Sequence, residues 1–203
     1  GQLDAIRTGC VAAADGSLET RAAASLLGVV NWAAQCLPHT AAPFVPRLRH
    51  ATLAARRVGA RRIKISHGLR DDMRWWINAI DAGMGASGTS FIHLQRAASH
   101  VAWGDAGSSW GVGGHDASRF YNARTPPSVM AKAHRKATTS SRFLELYQLL
   151  VMARVLGPKW AGSHAKVWVD NESLVPLFRK GYSRRADEND MVREIYTLQA
   201  AAD

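Results

Sequence analysis

Three carboxylates stand where a strand, a helix and a second strand would bring them together. Asp105 ends the run His100-Val-Ala-Trp-Gly, Glu145 lies early in a Leu-rich helix, and Asp170 closes Ala165-Lys-Val-Trp-Val. Ligands of α/β folds gather at the C-terminal ends of strands, which makes acids in those places informative. Burying any of the three without a partner is costly, and a cation between them is the natural resolution. Three hard oxygen donors with no His or Cys in company suit Mg²⁺ or Mn²⁺ rather than zinc. Two such ions about 3.5–4 Å apart activate a water and stabilise the leaving oxygen of an in-line phosphodiester displacement. Taken singly, each acid reads more simply as a solvated loop residue. In this order of elements they read together as catalytic, metal-binding residues.

The wider composition agrees with a polyanionic partner. Lys and Arg number 26 against 16 Asp and Glu, a net charge of +10, and nucleic acid is the commonest partner of so basic a chain. Residues 1–82 carry 11 Lys/Arg and 6 Asp/Glu, and 83–203 carry 15 and 10, so the excess is shared. Arg179, Lys180, Arg184 and Arg185 follow the second acid-bearing strand and are candidates for phosphate contact, the alternative being a solvated basic loop. Cys10 and Cys36 stand alone in apolar helical patterns. With no metal-ligand spacing, they read as buried free thiols of a reducing, intracellular compartment. No apolar run is long enough to span a membrane. The His residues show no paired metal spacing and receive no role.

The elements that must position these groups fall into two sets. Residues 3–14, 19–36, 44–57 and 69–80 carry helical apolar periodicity, and 61–66 alternate as a short strand. Asp15-Gly16-Ser17 is a turn, Pro38 ends the second helix, and Ser66 or His67 leads into the fourth. Trp75 and Trp76 cannot share one helix face, so one is expected in the core and the other at a domain interface. The Gly/Ser-rich segment 83–90 marks a linker. Beyond it, 100–107, 108–115 and 119–124 read as an antiparallel meander, 125–140 as a loop, then a helix from Ser141 and a strand at 165–169. A helix through Phe178, capped by Asn171, and another from Ala186 follow. The expectation is β-β-β-α-β-α-α, with the first and fourth strands adjacent and parallel. Pro176 is an irregularity inside its helix.

The motifs Val101-Ala-Trp-Gly-Asp105-Ala-Gly, Leu144-Glu145-Leu and Val167-Trp-Val-Asp170-Asn171 resemble those of the ribonuclease H fold. The resemblance is closest to the RNase H domain of reverse transcriptases from DIRS-like, tyrosine-recombinase retrotransposons. There an acid-Asn strand end is followed by a Val/Leu-rich helix and a Lys-Gly-x-Ser-Arg segment, here Ser173 to Phe178 and Lys180-Gly181-Tyr-Ser183-Arg184. Ser25-Leu-Leu-Gly-Val-Val-Asn-Trp resembles the reverse-transcriptase thumb helix, and Leu69-Arg-Asp-Asp-Met-Arg-Trp75-Trp76 the segment before RNase H. The resemblance implies an RNase H-like mixed five-stranded sheet with flanking helices over 83–203. It implies a small, mainly helical thumb/connection segment over 1–82. It also implies a fourth acidic or His ligand downstream, expected beyond Asp203, for which Asp190 is a poor substitute. The polymerase palm and its paired aspartates are absent from this sequence.

The expectation is an α/β protein whose second domain cleaves RNA in an RNA–DNA hybrid with two Mg²⁺ or Mn²⁺ ions held by Asp105, Glu145 and Asp170. The rival is a domesticated, inactive RNase H-like subunit that binds structured RNA in a larger ribonucleoprotein, such as an organellar ribosome. Retained acids favour the first and missing pieces the second, because fold alone does not decide function.

Overall fold

A computed structural model describes residues 1–36, 41–82, 97–134 and 140–200. The chain forms two compact units, Gly1–His93 and Leu94–Asp203. The 83–90 linker and Pro38 lie outside the described residues, as do Arg135, Lys136 and the side chain of Cys36.

The first unit is helical with one small ribbon. Its elements are α1 (Gln2–Ala14), β1 (Ser17–Glu19), α2 (Thr20–Cys36), α3 (Pro46–Arg57), β2 (Arg62–Lys64) and α4 (His67–Asp81). Ser66 caps α4 by accepting the Leu69 amide at 3.2 Å. Leu69, Met73 and Trp76 then repeat at helical spacing and are buried. Trp76 is fully enclosed, whereas the half-buried Trp75 stacks on Phe44 at 3.8 Å. Trp75 therefore has an aromatic partner inside its own unit. Residues 17–19, read as the end of a turn and the start of a helix, are instead a strand antiparallel to β2, with Leu18 opposite Ile63 and both buried. Three residues with one inward side chain are too few to show a period of two. The buried Asp72 is paired with Arg47 at 3.2 Å, and the same guanidinium donates to the Gly68 carbonyl at 2.9 Å.

The second unit is α/β. It comprises β3 (His100–Gly107), β4 (Gly111–Asp116), β5 (Phe120–Ala123), α5 (Pro127–His134), α6 (Ser140–Val155), β6 (Ala165–Trp168), α7 (Leu174–Lys180) and α8 (Ala186–Ala200). The sheet order is β5-β4-β3-β6, with β3 parallel to β6 and the other pairs antiparallel. The expected adjacency of the first and fourth strands is present. The mixed sheet has four strands among the described residues where five were expected, the regular elements described after β6 being the helices α7 and α8. Alternation along the strands is plain: Ala102 and Val112 face α6, while Trp103 and His115 stack on the other side.

Two local expectations change. Within the segment read as a loop, α5 forms; Pro127 occupies its first position, where the missing N–H costs nothing. Ala133 is buried, and Val129 and Met130 pack against the same core. Pro176 is no irregularity, since α7 begins at Leu174 and the proline lies in its first turn. Gly181, at φ +74°, then ends α7 in the left-handed conformation that a residue with a Cβ adopts at a cost.

Candidate metal centre

A glycine sets the distance between helix and sheet. A Cβ on Gly104 would lie 1.7 Å from the Gln148 amide nitrogen and 2.8 Å from the Met152 methyl. A Cβ here would have to displace the ends of both side chains, which α6 packs directly onto the bare backbone of β3. The fully buried Gln148 donates to the Tyr121 hydroxyl at 2.7 Å, and that hydroxyl donates to the Gln148 carbonyl at 3.3 Å. This contact pins the helix to the sheet one turn after Glu145 and one residue before Asp105. A second tie holds the other strand. The Asn171 side-chain amide donates to Ser141 Oγ at 3.3 Å, while its oxygen accepts the Ser173 amide at 3.1 Å and hydroxyl at 2.6 Å. Asn171 is not the cap expected from sequence, since Ser173 is the N-cap of α7 and makes no side-chain capping bond. It forms an Asx turn ahead of the helix and fastens the corner after Asp170 to the first turn of α6.

These ties bring the three predicted acids to one place. One carboxylate oxygen each from Asp105, Glu145 and Asp170 lies within 4.8 Å of the others. Asp105 and Asp170 are exposed and Glu145 is 3 % exposed. Glu145 Oε2 is buried without a hydrogen-bond partner, an arrangement that a neighbouring cation would relieve. Burial, and then the charges of Asp170 and Asp105, push the Glu145 carboxyl up to about 7. An all-oxygen donor set with one orphaned buried oxygen fits a hard divalent cation.

The predicted basic residues divide. Arg179, Lys180 and Arg184 are exposed. Arg185 is bound to Glu188 at 3.1 Å, which also takes Arg142 at 3.0 Å and the Ser183 hydroxyl at 2.6 Å. Glu188 is fully buried, so Arg185 has a structural partner that its place in a basic run did not reveal. Asp190 is exposed, stands 3.4 Å from Arg193, and does not join the acid cluster among the described residues. Cys10 is a buried free thiol whose ionisation burial pushes up to about 12.

Sequence reasoning missed Asp116. Its carboxylate accepts the Ser118 and Arg119 amides at 3.0 and 2.9 Å, the Trp160 indole N–H at 3.2 Å and the Arg119 guanidinium. These donors hold it well below the usual carboxylate range. The available signal was Asp two residues before a Ser-Arg turn, a common Asx-turn pattern.

Compared with known proteins, the chain matches no family model, no curated protein and no solved structure. Among the described residues, no helix is long and apolar enough to cross a membrane.

Proposed function

We propose that the second unit is a ribonuclease H-like nuclease of a retroelement reverse transcriptase, cutting RNA in an RNA–DNA hybrid, and that the first unit is its thumb/connection segment. The observation that carries the reading is the convergence of Asp105, Glu145 and Asp170, with Glu145 Oε2 buried and unpartnered. The β5-β4-β3-β6 order with a single parallel pair supports it, as do the sequence motifs around each acid.

In this reading the three carboxylates hold two Mg²⁺ or Mn²⁺ ions, which when bound polarise a water and stabilise the leaving oxygen. Glu145 gives up its proton as the site fills, and its fixed place on α6 keeps the donors in register. Asn171 and Ser141 hold the Asp170 corner in position. Arg179, Lys180 and Arg184, exposed beyond β6, contact the phosphate backbone of the hybrid, which is recognised by shape and 2′-hydroxyls. A second reading, an RNase H-like subunit that binds structured RNA in a ribonucleoprotein without cutting, is favoured by one observation. Only three acids converge among the described residues, and Asp190 is not a fourth. Cleavage of a labelled RNA–DNA hybrid with Mg²⁺ or Mn²⁺, beside an Asp170→Asn variant, separates the two.

A further inference from the structure

A file of rings crosses the sheet of the second unit. Phe120 on β5 is the register partner of His115 on β4, His115 of Trp103 on β3, and Trp103 of Trp168 on β6. Every strand therefore places one ring at the same level. All four lie on the face turned away from α6. Ala102, Gly104 and Tyr121, at the alternating positions, are the residues that meet Met152 and Gln148 of that helix. All four rings are exposed, Trp103 to 44 %, Trp168 to 49 % and Phe120 to 85 %. Single apolar residues scattered over a surface are ordinary, whereas a contiguous exposed file marks a binding face.

Spacing and surroundings select the occupant. Neighbouring strands lie about 4.8 Å apart, so the file is about 14 Å long. Open four-stranded sheets that carry rings in this way stack two or three unpaired bases. Trp103 and His115 already lie within 17° of parallel, with centroids 5.2 Å apart. Lys166, two residues before Trp168 on the same face, holds its ammonium 4.1 Å over the Trp168 ring. The adjoining level toward the acids carries Asn122, Gly113 and Asp105, which are polar, small or charged. An interface between proteins is depleted of charge at its core. Rings interleaved with a cation instead suit bases and the phosphates between them. Bases already paired and stacked in a duplex do not offer their faces to such rings.

We propose that the open face of the β5-β4-β3-β6 sheet is a stacking platform for single-stranded nucleic acid. Unpaired bases lie on Phe120, His115, Trp103 and Trp168, and Lys166 turns to the phosphate backbone of the same strand. An unpaired strand is a different ligand from the paired hybrid assigned to the acid cluster. Stacking needs no metal and no reaction, so the platform does not rest on the nuclease reading.

The test is fluorescence anisotropy of the full chain with a labelled oligothymidylate of about 12 nucleotides, in EDTA so that no metal bridges the acids to the strand. The parent is expected to bind it more tightly than the same sequence paired in a duplex. Trp103→Ala weakens binding at least ~5-fold, the low end for losing one stacked base, and leaves the salt dependence unchanged. Trp103→Phe, which keeps a ring, recovers most of that loss. Phe120→Ala removes the most exposed ring, weakens binding by about the same factor, and keeps the test open if Trp103→Ala unfolds. Lys166→Gln instead flattens the slope of log affinity against log salt by about 0.7, one phosphate contact to a single strand. Parental affinity in both Ala variants would overturn the inference, as would tighter binding of the duplex by the parent. So would a parent dimer in sedimentation that Phe120→Ala dissolves, because the face would then belong to a second copy of the chain.

Discussion

Trp103 and Trp168 are register partners in the parallel β3–β6 pair, and each is followed two residues later by a carboxylate. The two strands therefore deliver Asp105 and Asp170 to the same level of the sheet, although 65 residues separate them in sequence. Glu145 arrives from α6 because Gly104 lets that helix approach. Geometry at the acid cluster is thus set by one strand register and one missing side chain.

The cluster makes stability depend on pH. Glu145 binds its proton more tightly in the folded chain, at about 7, than at its ordinary value of 4.5. Its contribution to stability is complete below pH 4.5 and is lost as the pH rises through 7. Melting in EDTA is therefore expected to show a contribution from this group that declines between pH 5 and pH 8. Asp170→Asn removes a neighbouring charge and raises the EDTA melting temperature at pH 8 by roughly 2–4 °C, with little change at pH 5. Mn²⁺ stabilises the parent chain more at pH 8 than at pH 5.5, and this increment disappears in Asp170→Asn. An equal Mn²⁺ effect at both pH values, or in both proteins, would contradict the account.

Gly104→Ala is expected to destabilise the second unit by about 1–3 kcal/mol, because the new methyl displaces the buried, hydrogen-bonded end of the Gln148 side chain. Combining it with Gln148→Ala removes that obstacle, so the double variant loses less than the two single losses added together. Urea unfolding followed by Trp fluorescence measures this. Strict additivity would mean that the two residues do not oppose each other.

Removing the buried carboxylate in Glu188→Ala leaves Arg142 and Arg185 without their shared partner. A loss of about 3 kcal/mol is expected. Arg184→Ala, exposed beside it, changes stability by less than ~0.5 kcal/mol and instead weakens hybrid binding. Parallel urea melts and binding assays distinguish the clamp from the contact.

Asp116 closes the turn between β4 and β5 through acid-sensitive contacts. Its carboxyl titrates below the ordinary range because Arg119 and nearby backbone amides bind the charged form. The stability it gives is present above pH 4 and fades as the pH falls through its lowered folded-state value. Asp116→Asn therefore narrows the stability difference between pH 6 and pH 3, a change read by thermal melts at the two pH values.

How much of this was visible in the sequence depended on the length of each pattern. The acids were legible because each ended or opened a long apolar run, and α/β strand ends draw ligands. The helices were legible from four or more apolar repeats, as in Leu69, Met73, Trp76, Ile77 and Ile80. What escaped were features decided by a single residue or by distant pairing. β1 rests on Leu18 alone, α5 hides behind two prolines, and Asp116 works through a turn. Arg185 looked like its exposed neighbours in sequence until Glu188 closed on it from α8. No periodicity records a partner three residues on whose own burial depends on α6.

The most direct test of the central claim is cleavage of a labelled RNA–DNA hybrid by the chain with Mg²⁺ or Mn²⁺, alongside Asp170→Asn. The account predicts metal-dependent cutting of the RNA strand by the parent, abolished in EDTA and reduced at least ~100-fold in the variant. Salt-sensitive binding of the hybrid with no metal-dependent cutting, or equal cutting by both proteins, would contradict it.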